Sequence, residues 1–125
     1  KPAIYFPLKT FTVNYDVNGR QRFLQAELTL MYRDEAVLKT LELHMPAVRN
    51  SLVMLLSRQV FDELQTAEGK EKLRTEALAE IQSIIAKETA ASAEKVDDEE
   101  KDDKAKTKLP EPNVELVLFT QFVMQ

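Results

Sequence analysis

The sequence predicts an α+β fold in which three helices pack on a three-stranded, mainly antiparallel sheet, in the order β-β-α-α-α-β. Three observations lead to this prediction. Two alternating segments flank an Asn-Gly turn, the middle of the chain carries apolar residues at helical spacing, and residues 113–125 return to an extended pattern. A chain of 125 residues also has the length of one domain.

The first strand is predicted over residues 3–15. In its second half, Phe11, Val13 and Tyr15 alternate with polar residues, as in a strand with one buried face. Pro7 has no N–H to donate to a ladder, so it belongs at an edge or before the paired portion.

The second strand is predicted over residues 22–32, after the Asn18-Gly19 turn, because Asn-Gly tolerates the positive φ of a tight hairpin. One face of this strand is apolar throughout and belongs to the core. The other face is mixed, with Phe23 and Met31 as its apolar members.

Two helices follow. Asp34 is suited to cap the first, and Pro46 forces this helix to kink or to restart near His44, because proline removes a donor and clashes with the preceding turn. The second helix is predicted to run from Pro46 to about Leu64. Its apolar stripe is widened by two residues, Val53 and Met54, which predicts deep burial or a second contact surface.

A third helix is predicted from a cap at Thr66, with a continuation to Ala93. Residues 94–113 then form a charged linker with too little apolar surface to offset the entropy of ordering. The final segment, 113–125, is apolar at positions of both parities, which predicts a strand covered on both faces. Since such a strand must complete a sheet formed earlier, residues 1–125 are predicted to be one domain with an inserted acidic linker.

The composition excludes several classes of function. The net charge is −4, and residues 88–113 hold nine acids against five lysines, so the remainder has twelve of each sign. A neutral folded part argues against nucleic acid, which requires clustered Lys and Arg. The chain contains no cysteine and two glycines, so we expect neither a cysteine metal site nor a glycine-rich phosphate loop.

Candidate catalytic residues are few. His44 is the single histidine, and no motif brings it a serine, a carboxylate or a second metal ligand. Glu76 and Glu80 lie one helical turn apart, but interleaved cations favour a solvated face. The acids of 97–103 lack the ligand spacing of a calcium loop. We therefore expect no enzymatic activity, no metal and no cofactor.

The residues that exceed the needs of one small core are apolar. These are Phe23 and Met31 on the second strand, and Val53 and Met54 on the second helix. Two alternatives remain open from the sequence. Either the helices cover these side chains within the monomer, or they form a surface for a partner or for another copy of the chain.

Four segments, in order along the chain, resemble the FliL family of flagellar basal body-associated proteins. They are YFPLKTFTVN (5–14), GRQRFLQAELTLMYRDEAV (19–37), HMPAVRNSLVMLLSRQVFDELQTAEGKEKLR (44–74) and VLFTQFVMQ (117–125). The helix that starts with His-Met-Pro and the last strand are the most specific. The long acidic linker departs from the family pattern.

This resemblance implies the periplasmic domain of a single-pass inner-membrane protein, with its transmembrane helix before Lys1, and a fold similar to the SPFH domain of stomatin-like proteins. It further implies association with the stator units of the motor, support of torque in swimming or swarming, and self-assembly into a ring. The alternative from the sequence is a periplasmic sensor module that binds an ion or a small molecule, for which His44 and the acidic linker are the supporting features.

Overall fold

A computed structural model describes residues 1–93 and 112–125. It has the predicted α+β architecture, an antiparallel sheet with three helices on one face. The strands are β1 (Ile4–Pro7), β2 (Phe11–Val17), β3 (Arg20–Tyr32) and β4 (Leu116–Met124), and the helices are α1 (Glu35–Leu43), α2 (Met45–Ser57) and α3 (Ala67–Ala93), with a short 3-10 turn at Glu63–Gln65. No described helix has the length and apolar content required to cross a bilayer.

The sheet is three strands wide and contains four strands, because the predicted first strand is divided. Both β1 and β2 pair with one edge of β3, and β4 pairs with the other edge. Between β1 and β2 the side chain of Leu8 is buried, and its N–H donates to the carbonyl of Leu28 at 2.8 Å. The Arg49 guanidinium of α2 satisfies the carbonyls of Lys9 and Thr10 at 3.0 and 3.2 Å, so the interruption is hydrogen-bonded.

The predicted hairpin turn is confirmed. Asn18 and Gly19 both have positive φ, 55° and 82°, as a tight primed turn requires. The Asp16 carboxylate accepts a hydrogen bond from the N–H of Gly19 at 2.9 Å, which closes the turn.

The last strand completes the sheet as predicted, but it is not covered on both faces. The register with β3 shifts between Glu27 and Leu28, so that Thr120 is an extra residue on β4. Because a β-bulge reverses the alternation, Phe119 and Phe122 both point to the helices although their positions have opposite parity. Part of the double-parity pattern therefore comes from the bulge, and the side of β4 that carries Leu116 remains open.

The junction of the first two helices lies where Pro46 predicts it. The side chain of Asp34 caps α1 by accepting from the Ala36 N–H at 2.8 Å, and α2 restarts after His44 with Pro46 in its first turn.

The prediction that α2 runs to about Leu64 is wrong, because the helix ends at Ser57. Phe61 follows Met54 by seven positions, so an uninterrupted helix would place both side chains on the same exposed face. Instead the chain leaves the helix, and Phe61 is buried with its ring 5.4 Å from the ring of Tyr15.

Helix α3 begins at the predicted cap, where the Thr66 hydroxyl accepts from the Gly69 N–H at 2.9 Å, and it extends to Ala93. The predicted linker, 94–113, lies outside the described residues except for Pro112 and Asn113. Asn113 donates from its side-chain amide to the carbonyl of Gln82, and the Gln82 amide donates to the carbonyl of Val114 at 2.7 Å. These two bonds fix the start of β4 against α3.

Tyr15 joins the sheet to the end of α2. Its hydroxyl, which is buried, donates to the Leu56 carbonyl at 2.7 Å, and burial raises its pKa to about 12. The unfolded chain loses this proton near pH 10, whereas the folded chain keeps it. We therefore expect the contribution of Tyr15 to stability to be complete below pH 10 and to be lost as the pH rises toward 12.

The measurement is urea unfolding at several pH values between 8 and 12, with Tyr15→Phe as the reference. At pH 8 the free energy of unfolding of Tyr15→Phe should be about 1 kcal/mol lower than that of the unaltered protein, because the variant lacks the hydrogen bond. This difference in the free energy of unfolding should become smaller at high pH. Tyr32, whose pKa is also raised by burial, is present in both proteins and cancels in the comparison. A gap that does not change with pH would contradict the assignment.

Candidate functional site

The four residues that the sequence singles out lie in three separate places. Val53 and Met54 lie together on α2, where they are 40% and 54% exposed. Phe23 and Met31 share the face of β3 that points away from the helices, but eight residues of strand separate them, about 26 Å. Phe23 is 38% exposed and Met31 only 6%. The structure therefore brings together the α2 pair and not the pair on β3.

Helix α2 has a core side and a solvent side. Val48, Leu52, Leu55 and Leu56 are buried against β2 and α3. On the opposite side lies the surface that we name the outer stripe of α2, formed by Ala47, Asn50, Val53, Met54 and Ser57. All five are exposed, and the Ser57 hydroxyl donates to the carbonyl of Val53 at 2.8 Å. The stripe is therefore apolar apart from one amide and one hydroxyl that is already hydrogen-bonded.

A second apolar surface lies on the outer face of the sheet and was not predicted as a unit. Tyr5 of β1, Met31 of β3 and Leu116 of β4 are paired side by side across three strands, and Leu118 lies in the next row beside Thr29. We name Tyr5, Met31, Leu116 and Leu118 the outer sheet patch. Tyr5 is 57% and Leu116 is 38% exposed, and they shield Met31 between them.

Sequence reasoning found only Met31 of this patch. Tyr5 lies in a short strand whose register with β3 is set by the break after Pro7, and Leu116 lies before the bulge of β4. The signal that was available is the period of two along residues 4–7, in which Ile4 and Phe6 share the core side and leave Tyr5 on the other.

The polar side chains between α2 and α3 are paired with one another through salt bridges and hydrogen bonds. Glu80 accepts from the Ser51 hydroxyl at 2.6 Å and lies 3.8 Å from the Arg58 guanidinium. Glu76 contacts the Lys72 ammonium at 3.2 Å and accepts from the Gln59 amide. These carboxylates border an open groove of about 570 Å³. Each carboxylate is opposed by a cation, which is the pattern of a structural network and not of a general acid and base.

His44 lies between α1 and α2, with its Nε2 3.5 Å from a carboxylate oxygen of Glu88 on α3. This contact joins the helix junction to the third helix. Within residues 1–93 and 112–125, no group of three or more potential metal ligands converges. The acidic residues 97–103 lie outside the described part.

The comparisons with known proteins agree with the resemblance seen in the four segments. The family described as "Flagellar basal body-associated protein FliL" matches residues 5–125. The chain is 36% identical over 122 residues to "Flagellar protein FliL" of Escherichia coli K12, which covers 98% of the chain and 65% of that relative. It is 27% identical over 75 residues, 60% of the chain and 47% of the relative, to "Flagellar protein FliL" of Aquifex aeolicus. The chain thus spans 65% of the length of its Escherichia coli relative, and with a family match over nearly all of its residues it belongs to the FliL family of flagellar basal body-associated proteins.

Proposed function

We propose that this domain is a non-enzymatic component of the bacterial flagellar motor that associates with stator units and supports torque during swimming or swarming. It acts in the periplasm as part of a single-pass inner-membrane protein, and it assembles with copies of itself into a ring. Membership of a flagellar basal body-associated family supports the setting. The observation that carries the mode of action is the exposed apolar side of α2.

Three properties of the outer stripe of α2 support a role in protein association. It is continuous, since its members recur at the spacing of one helix face. It includes two large apolar side chains, Val53 and Met54, at 40% and 54% exposure. It also belongs to a helix that is fixed in place by a buried opposite side, so the surface is preorganised.

Self-assembly and stator binding are both consistent with this kind of surface. A stable protein interface buries about 800 Å² on each partner, which exceeds what one helix stripe supplies. The stripe therefore acts with adjoining surface. Val60, which is 54% exposed three residues beyond the end of α2, lines an open groove together with Ser57 of the stripe.

We expect Val53→Asp and Met54→Asp to weaken association about tenfold or more without unfolding the domain. A carboxylate introduced into the centre of an interface loses hydration without gaining a partner, and 1.4 kcal/mol already corresponds to a factor of ten. In the full-length protein, each variant should reduce the spreading of cells in soft agar and the recovery of stator subunits after cross-linking.

Leu43→Asp is the matched control, because Leu43 is an apolar residue, 74% exposed, at the end of α1 and outside the outer stripe. This variant should keep both motility and stator recovery. Circular dichroism and thermal melts of all three purified domains establish that they are folded. Folded Val53→Asp and Met54→Asp proteins with undiminished motility and stator recovery would contradict the proposal, and an unfolded variant would assign its residue to the core.

A further inference from the structure

The outer sheet patch is an apolar surface that no described helix covers. All three helices pack on the other face of the sheet, where alternate residues of β3 join the main core, and Met31 is buried without belonging to that core. Its shielding comes from Tyr5 and Leu116 on the neighbouring strands. Together with Leu118 these side chains form a contiguous apolar area on a flat sheet face, which is the kind of surface that marks an interface.

The outer sheet patch and the outer stripe of α2 lie on opposite sides of the sheet. One belongs to the helix layer, and the other belongs to the bare face of the strands. They also differ in shape, because one is a convex helix side and the other is the pleated face of a sheet. A helix packs well on such a face, as the helices of this domain do on its other side.

A charge of opposite sign lies beside each surface. Helix α2 and its cap contain no acid, and of their two cations Arg49 is engaged by the carbonyls of Lys9 and Thr10, which leaves Arg58. Arg58 is exposed and is held only by a 3.8 Å contact to Glu80.

Next to the outer sheet patch, Glu27 accepts from the Thr10 hydroxyl at 2.9 Å, and no cation of the described residues forms a salt bridge with it. At the other end of the outer sheet patch, Arg33 is paired with Glu115 at 3.0 Å.

The spacing of these charges relative to the apolar residues also agrees. Arg58 follows Met54 by one turn of helix, about 6 Å along the axis. Glu27 precedes Thr29, the neighbour of Leu118, by two residues of strand, about 7 Å. A helix that seats Met54 near Leu118 and runs antiparallel to β3 brings Arg58 close to Glu27.

We propose that the outer stripe of α2 in one copy of this chain packs on the outer sheet patch of the next copy, with Arg58 facing Glu27. The inference rests on the proposed self-assembly and specifies its contact. Because the two surfaces differ, each pair of copies leaves one stripe and one patch free. Such a head-to-tail contact forms a ring when the rotation between successive copies closes, and it does not form a two-fold dimer.

Residues 1–125 contain no cysteine, so thiols introduced here make the contact testable by site-specific cross-linking, with the unaltered full-length protein as the reference. Met54→Cys places a thiol on the stripe, and Tyr5→Cys places one on the patch. Full-length proteins with each change are produced separately and together in flagellated cells. The cells are treated with a short bismaleimide, and cross-linked products are detected by immunoblot. A swarming assay shows whether each variant functions. The matched control is Glu68→Cys, which places a thiol at an exposed position of α3. The Glu68→Cys protein takes the place of either the Met54→Cys or the Tyr5→Cys protein in the mixture.

Co-production of the Met54→Cys and Tyr5→Cys proteins should give a cross-linked dimer and nothing larger, and the chain with both changes should give a ladder of multimers. Each single variant alone, and each mixture with Glu68→Cys, should give at most the background of the unaltered protein. A dimer from Met54→Cys alone would indicate helix-to-helix contact, and one from Tyr5→Cys alone would indicate sheet-to-sheet contact. Either result overturns the inference while self-assembly stands. The inference is also overturned if no combination gives a cross-linked product in swarming cells.

The motor function is tested separately by deleting the gene. Loss of motility that the unaltered copy restores supports that function.

Discussion

Replacing Gly69 by alanine is expected to destabilise the domain by about 3 kcal/mol, although alanine ordinarily stabilises a helix by about 1 kcal/mol relative to glycine. Gly69 lies in the first turn of α3, where the chain passes close to the preceding 3-10 turn. A Cβ at this position would lie 1.8 Å from the carbonyl oxygen of Glu63, and the Thr66 hydroxyl that caps the helix would be 3.0 Å away. Because the obstacle is backbone, the helix start must shift and the cap must weaken.

The measurement is the free energy of unfolding in urea. Glu68→Ala is the control, since it changes an exposed neighbour in the same turn and should remain within about 0.5 kcal/mol of the unaltered protein. Stabilisation by Gly69→Ala would mean that the approach of Glu63 to the helix is not as close as the structure places it.

Alanine substitution of two adjacent residues on α2 is expected to affect the stability of the domain very differently. Leu52 is fully buried between the sheet and α3, and its replacement by alanine should cost about 2–5 kcal/mol, because lost burial is joined by the cost of a cavity. Val53, the next residue, is 40% exposed, and Val53→Ala should change stability by less than about 0.5 kcal/mol.

This pair tests the orientation of α2, on which the proposed interface depends. Both variants introduce alanine, the best helix former, so helix propensity does not disfavour either one and a loss of stability reports lost burial. Urea unfolding of the isolated domain at low concentration gives the stabilities without a contribution from association. Equal losses for the two variants would show that the outer stripe is covered within the monomer.

The sequence was sufficient for the features that local chemistry decides. The Asn18-Gly19 turn, the Asp34 and Thr66 caps and the restart of the helix before Pro46 each depend on a few adjacent residues. These features place the hairpin and the three helices in order, and the helical spacing identifies Val53 and Met54 as residues that widen the apolar stripe of α2.

The features that the sequence did not predict depend on contacts between distant parts of the chain. The end of α2 at Ser57 follows from the burial of Phe61 beside Tyr15, and propensity alone continues the helix. The bulge at Thr120 follows from the register with β3. Because of this bulge, apolar residues at both odd and even positions of β4 face the helices, and the other face of the strand remains open. The outer sheet patch was missed for the same reason, because Tyr5 and Leu116 become neighbours only after Met31 has paired with both.

The pairing of β3 with β4 also has a kinetic consequence. It matches Leu24 with Met124 and Met31 with Leu116, so the central ladder closes across most of the chain, and Gln125 exchanges both backbone hydrogen bonds with Phe23. Closing so long a loop costs entropy before the ladder compensates for it, and contacts between residues far apart in sequence slow folding. The β2–β3 hairpin can form early, but one edge of β3 waits for the last residues of the domain. In a cell, that edge of the sheet is a site for mispairing until β4 has been synthesised and has paired with it.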